Sequence, residues 1–213
     1  MGEELGRLER IESRIGSENT NTTAKNLTQF IEKTYENKGY YIGRFEANNT
    51  STGGSVAGKT PVRNITQQVA ASAARAMYNG NQFVDSDLVN SFMWETAIVF
   101  IQKCSNQPNY TNISVASAVG ATDDPTGSTN DVVCNIYEMR VGVYEWSTEE
   151  GVLDACGDGS SLQYGGVYRG VRNGFSRSDR PYIQGVSTHW FTLLPMTSTD
   201  IAYLGFRVGM WIL

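Results

Sequence analysis

Apolar positions follow helical spacing through the first half of the chain and strand-like runs through the second. Leu5, Leu8, Ile11 and Ile15 fall on one helical face among Glu and Arg. Barely two heptads long, this stripe fits the tail of a coiled-coil stem or a helix packed on the domain, and the packed helix is the expectation. Residues 16–23 are polar and unpatterned and read as a linker. A second helix is predicted over 24–37, with Leu27, Phe30, Ile31 and Tyr35 on one face and Gly39 where a C-terminal cap belongs. Residues 40–46 read as a strand, and 47–60 as a glycine-rich loop. Residues 65–78 give an alanine-rich helix. Asp85 or Ser86 is predicted to cap a further helix through Leu88, Val89, Phe92, Trp94, Ile98 and Ile101. Residues 105–131 are a polar loop region, and from Val132 onward short strands alternate with glycine turns. Helices first and strands afterwards imply an α+β fold with one antiparallel sheet rather than βαβ units. The implied division is a helix and linker over 1–23, a possible stem, and one domain over 24–213.

Composition narrows the function classes. The 213 residues are 40% hydrophobic, 11% aromatic and 18% charged, with 22 glycines, which marks a globular, loop-rich chain. A net charge of −5 argues against a nucleic-acid partner, because phosphate binding works through a positive surface that releases counterions. No stretch has the ~20 apolar residues of a spanning helix, so no membrane span is expected. The start, MGEELGRLER, is charged where a signal peptide is apolar, so no export signal is expected there.

Candidate chemistry is sparse. Cys104, Cys134 and Cys156 lack zinc-knuckle spacing and are expected as buried or partly buried thiols, with a Cys104–Cys134 bridge as the one option. Gly53 to Thr60 satisfies the bare GxxxxGKT pattern. A phosphate loop needs a buried strand before it and a helix opening at the Lys. Here Ala47–Thr52 is polar and Pro61-Val62-Arg63 is extended in character, so the match is read as chance. Sequons at Asn26, Asn64 and Asn112 carry no weight in so Asn/Ser/Thr-rich a chain. Glu149, Asp154 and Asp158 near a glycine turn read as a solvated loop ahead of a calcium site, and a calcium site ahead of a catalytic pair. The lone histidine, His189, supports neither a histidine metal set nor, without a GxSxG context, a serine triad. The expectation is a non-enzyme with no cofactor.

Four landmarks occur in order: Tyr41-Ile42-Gly43-Arg44-Phe45-Glu46; Trp94-Glu95-Thr96-Ala97; Tyr137-Glu138-Met139 with Val143-Tyr144-Glu145-Trp146; and Tyr168-Arg169-Gly170 with Gly205-Phe206-Arg207. This series resembles the formylglycine-generating-enzyme (sulfatase-modifying factor) family over residues 40–213, which implies a C-type-lectin-like fold with N-terminal helices and a small antiparallel sheet. Physical roles follow for the landmarks. Trp94 and Trp146 suit the centre of the core. Glu145 needs donors, with Arg207 or backbone N–H groups to supply them. Gly205 lets another backbone approach closely. One departure is Arg140-Val141-Gly142, where the family has an Ala-Gly-Asn turn. The oxidising members' cysteine pair after the Arg-Gly landmark is missing here, since Cys156 precedes it. The ligands for thiolate-held copper are therefore not in the expected place.

Residues 171–204 mix arginines and aromatics with Ser, Gly and Asp, the composition of a paratope. The bland alternative is that many of these residues close the core. The expected ligand-binding positions are Val171, Arg172, Asn173, Phe175, Arg177, Asp179, Tyr182 and Ile183, then His189, Trp190, Phe191, Leu193 and Tyr203. No Lys follows Lys103 and no Glu follows Glu150. The landmarks also resemble the variable proteins of diversity-generating retroelements. That resemblance implies a hypervariable C-terminal surface, with Gln184, Trp190 and Met196 as fixed scaffold positions. It also implies a protein or glycan receptor on a host or neighbouring cell, and a virion-tail or bacterial-surface setting. An oligomer through the N-terminal helix is possible. The alternatives are a formylglycine-generating-like oxidoreductase with a displaced site, or a structural subunit of a phage tail.

Overall fold

The computed structural model describes residues 27–107, 110, 125–127, 132–139, 143–151, 168–172, 189–193 and 204–213. In chain order these hold α1 (Leu27–Glu36), β1 (Tyr41–Ile42), α2 (Gln67–Ala76), β2 (Val84–Leu88) and α3 (Ser91–Cys104). Then come β3 (Val132–Val133), β4 (Ile136–Tyr137), β5 (Tyr144–Gly151), β6 (Tyr168–Arg172), β7 (His189–Leu193), β8 (Leu204–Phe206) and β9 (Val208–Ile212). The protein is a mixed α+β structure. The possible stem over 1–23 lies outside the described residues.

The strands form three sheets among the described residues, in orders β1-β9-β2, β3-β4 and β7-β6-β5-β8. This corrects the single antiparallel sheet, because β8 runs parallel to β5, with Tyr144 level with Leu204 and Trp146 level with Phe206. β8 passes through Arg207 directly into β9, so one continuous strand segment joins the larger sheet to the β1-β9-β2 sheet. The predicted strand over 40–46 is regular only at Tyr41–Ile42, but its remainder stays docked. Gly43 N–H donates to Val208 O (2.7 Å) and Ala47 N–H to Phe206 O (2.8 Å).

The largest correction is at 84–90. Asp85 and Ser86 do not cap a helix. They lie in β2, which pairs antiparallel with β9 from Val84↔Ile212 to Leu88↔Val208. The acidic residues that suggested a cap have partners elsewhere. Asp85 binds Lys33 Nζ at 2.6 Å, and Asp87 Oδ1 accepts from Arg75 Nε at 3.1 Å and from the Leu88 N–H at 2.7 Å. Five rungs of ladder outweigh local capping preference. The cap of α3 is Asn90, whose Oδ1 accepts from Met93 N–H at 2.8 Å. Asn90→Ala is expected to lower stability by about 1 kcal/mol, measured by urea denaturation, with m unchanged.

Helix α1 also has a different buried edge from the expected one. Leu27 and Phe30 are buried, whereas Ile31 (45% exposed) and Tyr35 (85%) face solvent. The inward edge continues instead through Thr34, which accepts from Trp211 Nε1 (3.5 Å), and Lys33, whose Nζ lies 5.0 Å from the Trp211 ring centroid. A lysine over an indole thus covers part of this edge. Cys104 and Cys134 are free and exposed, which corrects both the buried-thiol and the bridge expectations. Cys104 ends α3. Cys134 sits with Asn135 at the tip of the β3-β4 hairpin, both at positive φ (52° and 62°), the conformation of a two-residue primed turn. Cys156 lies outside the described residues.

Among the described residues two apolar clusters form the interior. Phe30, Phe92, Trp94, Ile98, Ile101 and Trp211 belong to one. Ala70, Ala74, Leu88, Trp146, Phe206 and Val208 belong to the other. Trp94 and Trp146 are buried as expected, and Trp146 Nε1 donates to Ile65 O at 2.7 Å. Gly205 also has its expected role. A Cβ there would stand 2.4 Å from Val62 O and 2.7 Å from Val143 Cγ2, so only glycine admits the 62–63 backbone against β8. Among the described residues no helix is long and apolar enough to cross a membrane.

Candidate functional site

The 53–60 loop does not have phosphate-loop form. Gly58 N–H donates to Thr126 O and Thr126 N–H to Lys59 O, each at 2.7 Å, and the next helix begins only at Gln67. With the Gly58 amide bonded to a carbonyl and no helix N-terminus directly behind the loop, it lacks the arrangement a phosphate loop uses.

At the β8–β9 junction, among the described residues, four charged side chains are buried together: Glu46, Glu138, Glu145 and Arg207. Arg207 is fully buried and uses its fork on both sheets. Nε donates to Glu145 Oε1 and Oε2 (3.0 and 3.2 Å), and the second guanidinium nitrogen lies 2.8 Å from Glu145 Oε1. The remaining donors reach Gly43 O at 2.8 Å and Tyr137 O at 2.9 Å. The Glu145–Arg207 pairing expected from the sequence is thus present, with bidentate geometry. Burial works against the charged guanidinium. Glu145, with Glu46 and Glu138 behind it, outweighs that and raises its affinity for the proton further. Burial likewise pushes the Glu145 carboxyl above its ordinary value, while Arg207 pulls the other way.

Glu46 and Glu138 are served by backbone instead. Glu46 Oε1 accepts from Val143 N–H at 2.8 Å and Glu138 Oε1 from Gly127 N–H at 2.9 Å. Glu138 Oε2 is buried without a hydrogen-bond partner, and its residue holds φ +63°. Burial drives the Glu46 carboxyl well above the usual carboxylate range; the charges of Glu145 and Glu138 add to this, and Arg207 and the Val143 amide oppose it. Sequence reasoning had both residues inside its landmarks but gave them no role. The available signal was an acid next to an aromatic in each, Phe45-Glu46 and Tyr137-Glu138.

The expected ligand-binding positions divide. Val171, Arg172, His189, Trp190, Phe191 and Leu193 lie on β6 and β7, which pair antiparallel with Val171 level with Trp190 and Arg172 level with His189. On the other side of β6, Glu145 is level with Arg172 and Trp146 with Val171. Rows thus run across three strands as Trp146–Val171–Trp190 and Glu145–Arg172–His189. Farther along, Trp146 matches Val171 and Glu150 matches Arg169, so β5 advances four residues while β6 advances two. Ser147, in this irregular stretch, is buried with its Oγ unpartnered. Asn173, Phe175, Arg177, Asp179, Tyr182, Ile183 and Tyr203 lie outside the described residues. So do Asp154 and Asp158 of the acidic turn and the 140–142 departure. Among the described residues no group of three or more His, Cys, Asp or Glu is placed to hold a metal ion.

These features define a mixed α+β protein whose two larger sheets are tied by one buried arginine. Compared with known proteins, the chain matches no family model, no curated protein and no solved structure.

Proposed function

We propose that the protein is a ligand-binding display module with a C-type-lectin-like fold, which recognises a protein or glycan receptor through residues 171–204. One observation carries the reading. β7 is an edge strand of the order β7-β6-β5-β8 among the described residues, with β6 beside it, while β5 and β8 at the other end of the order are held by Trp146 and by Glu145–Arg207. A scaffold anchored on one side, with an Arg- and aromatic-rich segment on the other, supplies rigid contact area beside adaptable polar groups. In this reading the protein is a binder rather than an enzyme, of the kind diversity-generating retroelements vary, acting on a virion tail or bacterial surface.

Alanine at Arg172, Tyr182 or Trp190 is expected to change stability by no more than about 0.5 kcal/mol, while binding to intact bacterial cells and to immobilised glycans is lost. Loss of folding in all three variants would assign these side chains to the core. Stoichiometric copper or iron, or oxidation of a cysteine peptide, would favour a formylglycine-generating-like oxidoreductase. A helical trimer with no separable ligand would favour a tail subunit. In the surrounding DNA, the display reading expects a reverse-transcriptase gene and a near-copy of the 3′ end that differs only at adenines.

A further inference from the structure

The cluster at the β8–β9 junction holds three buried carboxyls around one buried guanidinium. Among the described residues the hydrogen bonds of Arg207 go to Glu145, Gly43 O and Tyr137 O, while Glu46 Oε1 and Glu138 Oε1 accept from backbone amides. With these four groups of the described residues all ionised, the cluster would carry a net charge of minus two in an interior that penalises even one. A buried carboxylate oxygen with no donor, Glu138 Oε2, sits in the same cluster. We propose that this cluster binds a proton on Glu46 at neutral pH and acts as an alkali-sensitive latch between the two sheets. Loss of the proton sets Glu46 against Glu145 and Glu138, with Arg207 the one cation of the group among the described residues.

What the latch closes is visible in the bonds around it. Glu46 receives the amide of Val143, one residue before β5, and Glu138 receives that of Gly127. Next to Glu46, Ala47 N–H holds Phe206 O and Ala47 O holds Val62 N–H, both at 2.8 Å. Repulsion at Glu46 therefore loads the point where the 43–47 segment, the 62–63 segment and the start of β5 meet. The groups facing Glu46 are Glu145 from β5, Arg207 from the β8–β9 junction and Glu138 after β4. Two of the three are acids, so proton loss is opposed from two sides. The sign follows. A carboxyl that holds its proton more tightly folded than unfolded makes stability fall as pH rises from the ordinary carboxylate range through the folded titration.

The test measures urea unfolding of the full chain from about pH 5 to about pH 9, for the wild type and for Glu46→Gln, which keeps an oxygen for the Val143 amide. The wild-type folding equilibrium constant is expected to fall with pH. Glu46→Gln is expected to flatten that fall and to fold about tenfold or more favourably at the alkaline end. An infrared band of a protonated carboxyl, present at neutral pH in the wild type and missing from the variant, completes the expectation. Equal destabilisation of Glu46→Gln at every pH would overturn the latch. So would a wild-type spectrum with no protonated-carboxyl band, and that measurement decides the matter even if the variant does not fold.

Discussion

Arg207→Ala is expected to cost about 3–5 kcal/mol of stability, the scale for removing one partner of a buried ion pair. At 2–4 °C per kcal/mol for a chain of this size, the melting midpoint should drop by roughly 6–20 °C. Three consequences add in the same direction. Glu145 loses both bonds of its bidentate partner, Gly43 O and Tyr137 O lose their donor, and the three carboxyls lose the buried cation that the described residues place among them. The loss should deepen as pH rises, since protonated acids miss a cation less than ionised ones do. Arg207→Lys keeps the charge but cannot reach Glu145, Gly43 O and Tyr137 O with one ammonium, so it should recover only part of the loss. Pairing Arg207→Met with Glu145→Leu removes the orphaned charge but leaves the two carbonyls, so it should lie between the single variants and the wild type. The check is a urea series at two pH values. An Arg207→Ala protein within about 1 kcal/mol of wild type would mean the junction is held by apolar packing alone.

How far the sequence foretold these features depended on how locally each one is determined. Trp94 and Trp146 were legible as core because so large an apolar body has few other places to go. Gly205 was legible because a glycine inside a strand-like run marks close approach. The Glu145–Arg207 pair was legible because an acid beside a core tryptophan needs a donor. Strand β2 was not legible. Val84–Leu88 carries two aspartates and a serine, and what makes it a strand is β9, more than a hundred residues away, together with Lys33 and Arg75. The true cap, Asn90, was as good a capping residue as Asp85, and only the tertiary pairing of 84–88 chose between them. The inward edge of α1 was misjudged because Lys33 and Thr34 cover Trp211, where the apolar count favoured Ile31 and Tyr35. Of the candidate site, sequence reasoning identified one edge. It also put in one region residues that β6 and β7 align row by row. It did not foresee the buried acids Glu46 and Glu138, whose meeting depends on segments far apart in the chain.

Trp146→Ala is expected to destabilise by about 3–5 kcal/mol, the range for truncating a buried tryptophan. It empties a cavity beside Leu88, Phe206 and Val208, and it leaves Ile65 O without the indole N–H that now bonds it. Trp146→Phe divides the effect. It fills most of the cavity but restores no donor, so it should retain at least the roughly 1–3 kcal/mol cost of an unsatisfied buried carbonyl. Trp190 lies in the same row of the sheet, two strands out through Val171. The same truncation can therefore be made at both ends of one cross-strand row. A core that extended to β7 would give two comparable losses of stability. A display surface gives a large loss at Trp146 with binding per folded molecule intact, and at Trp190 unchanged stability with binding gone. Urea denaturation and cell binding on the two variants separate these outcomes, and equal destabilisation at both positions would end the display reading.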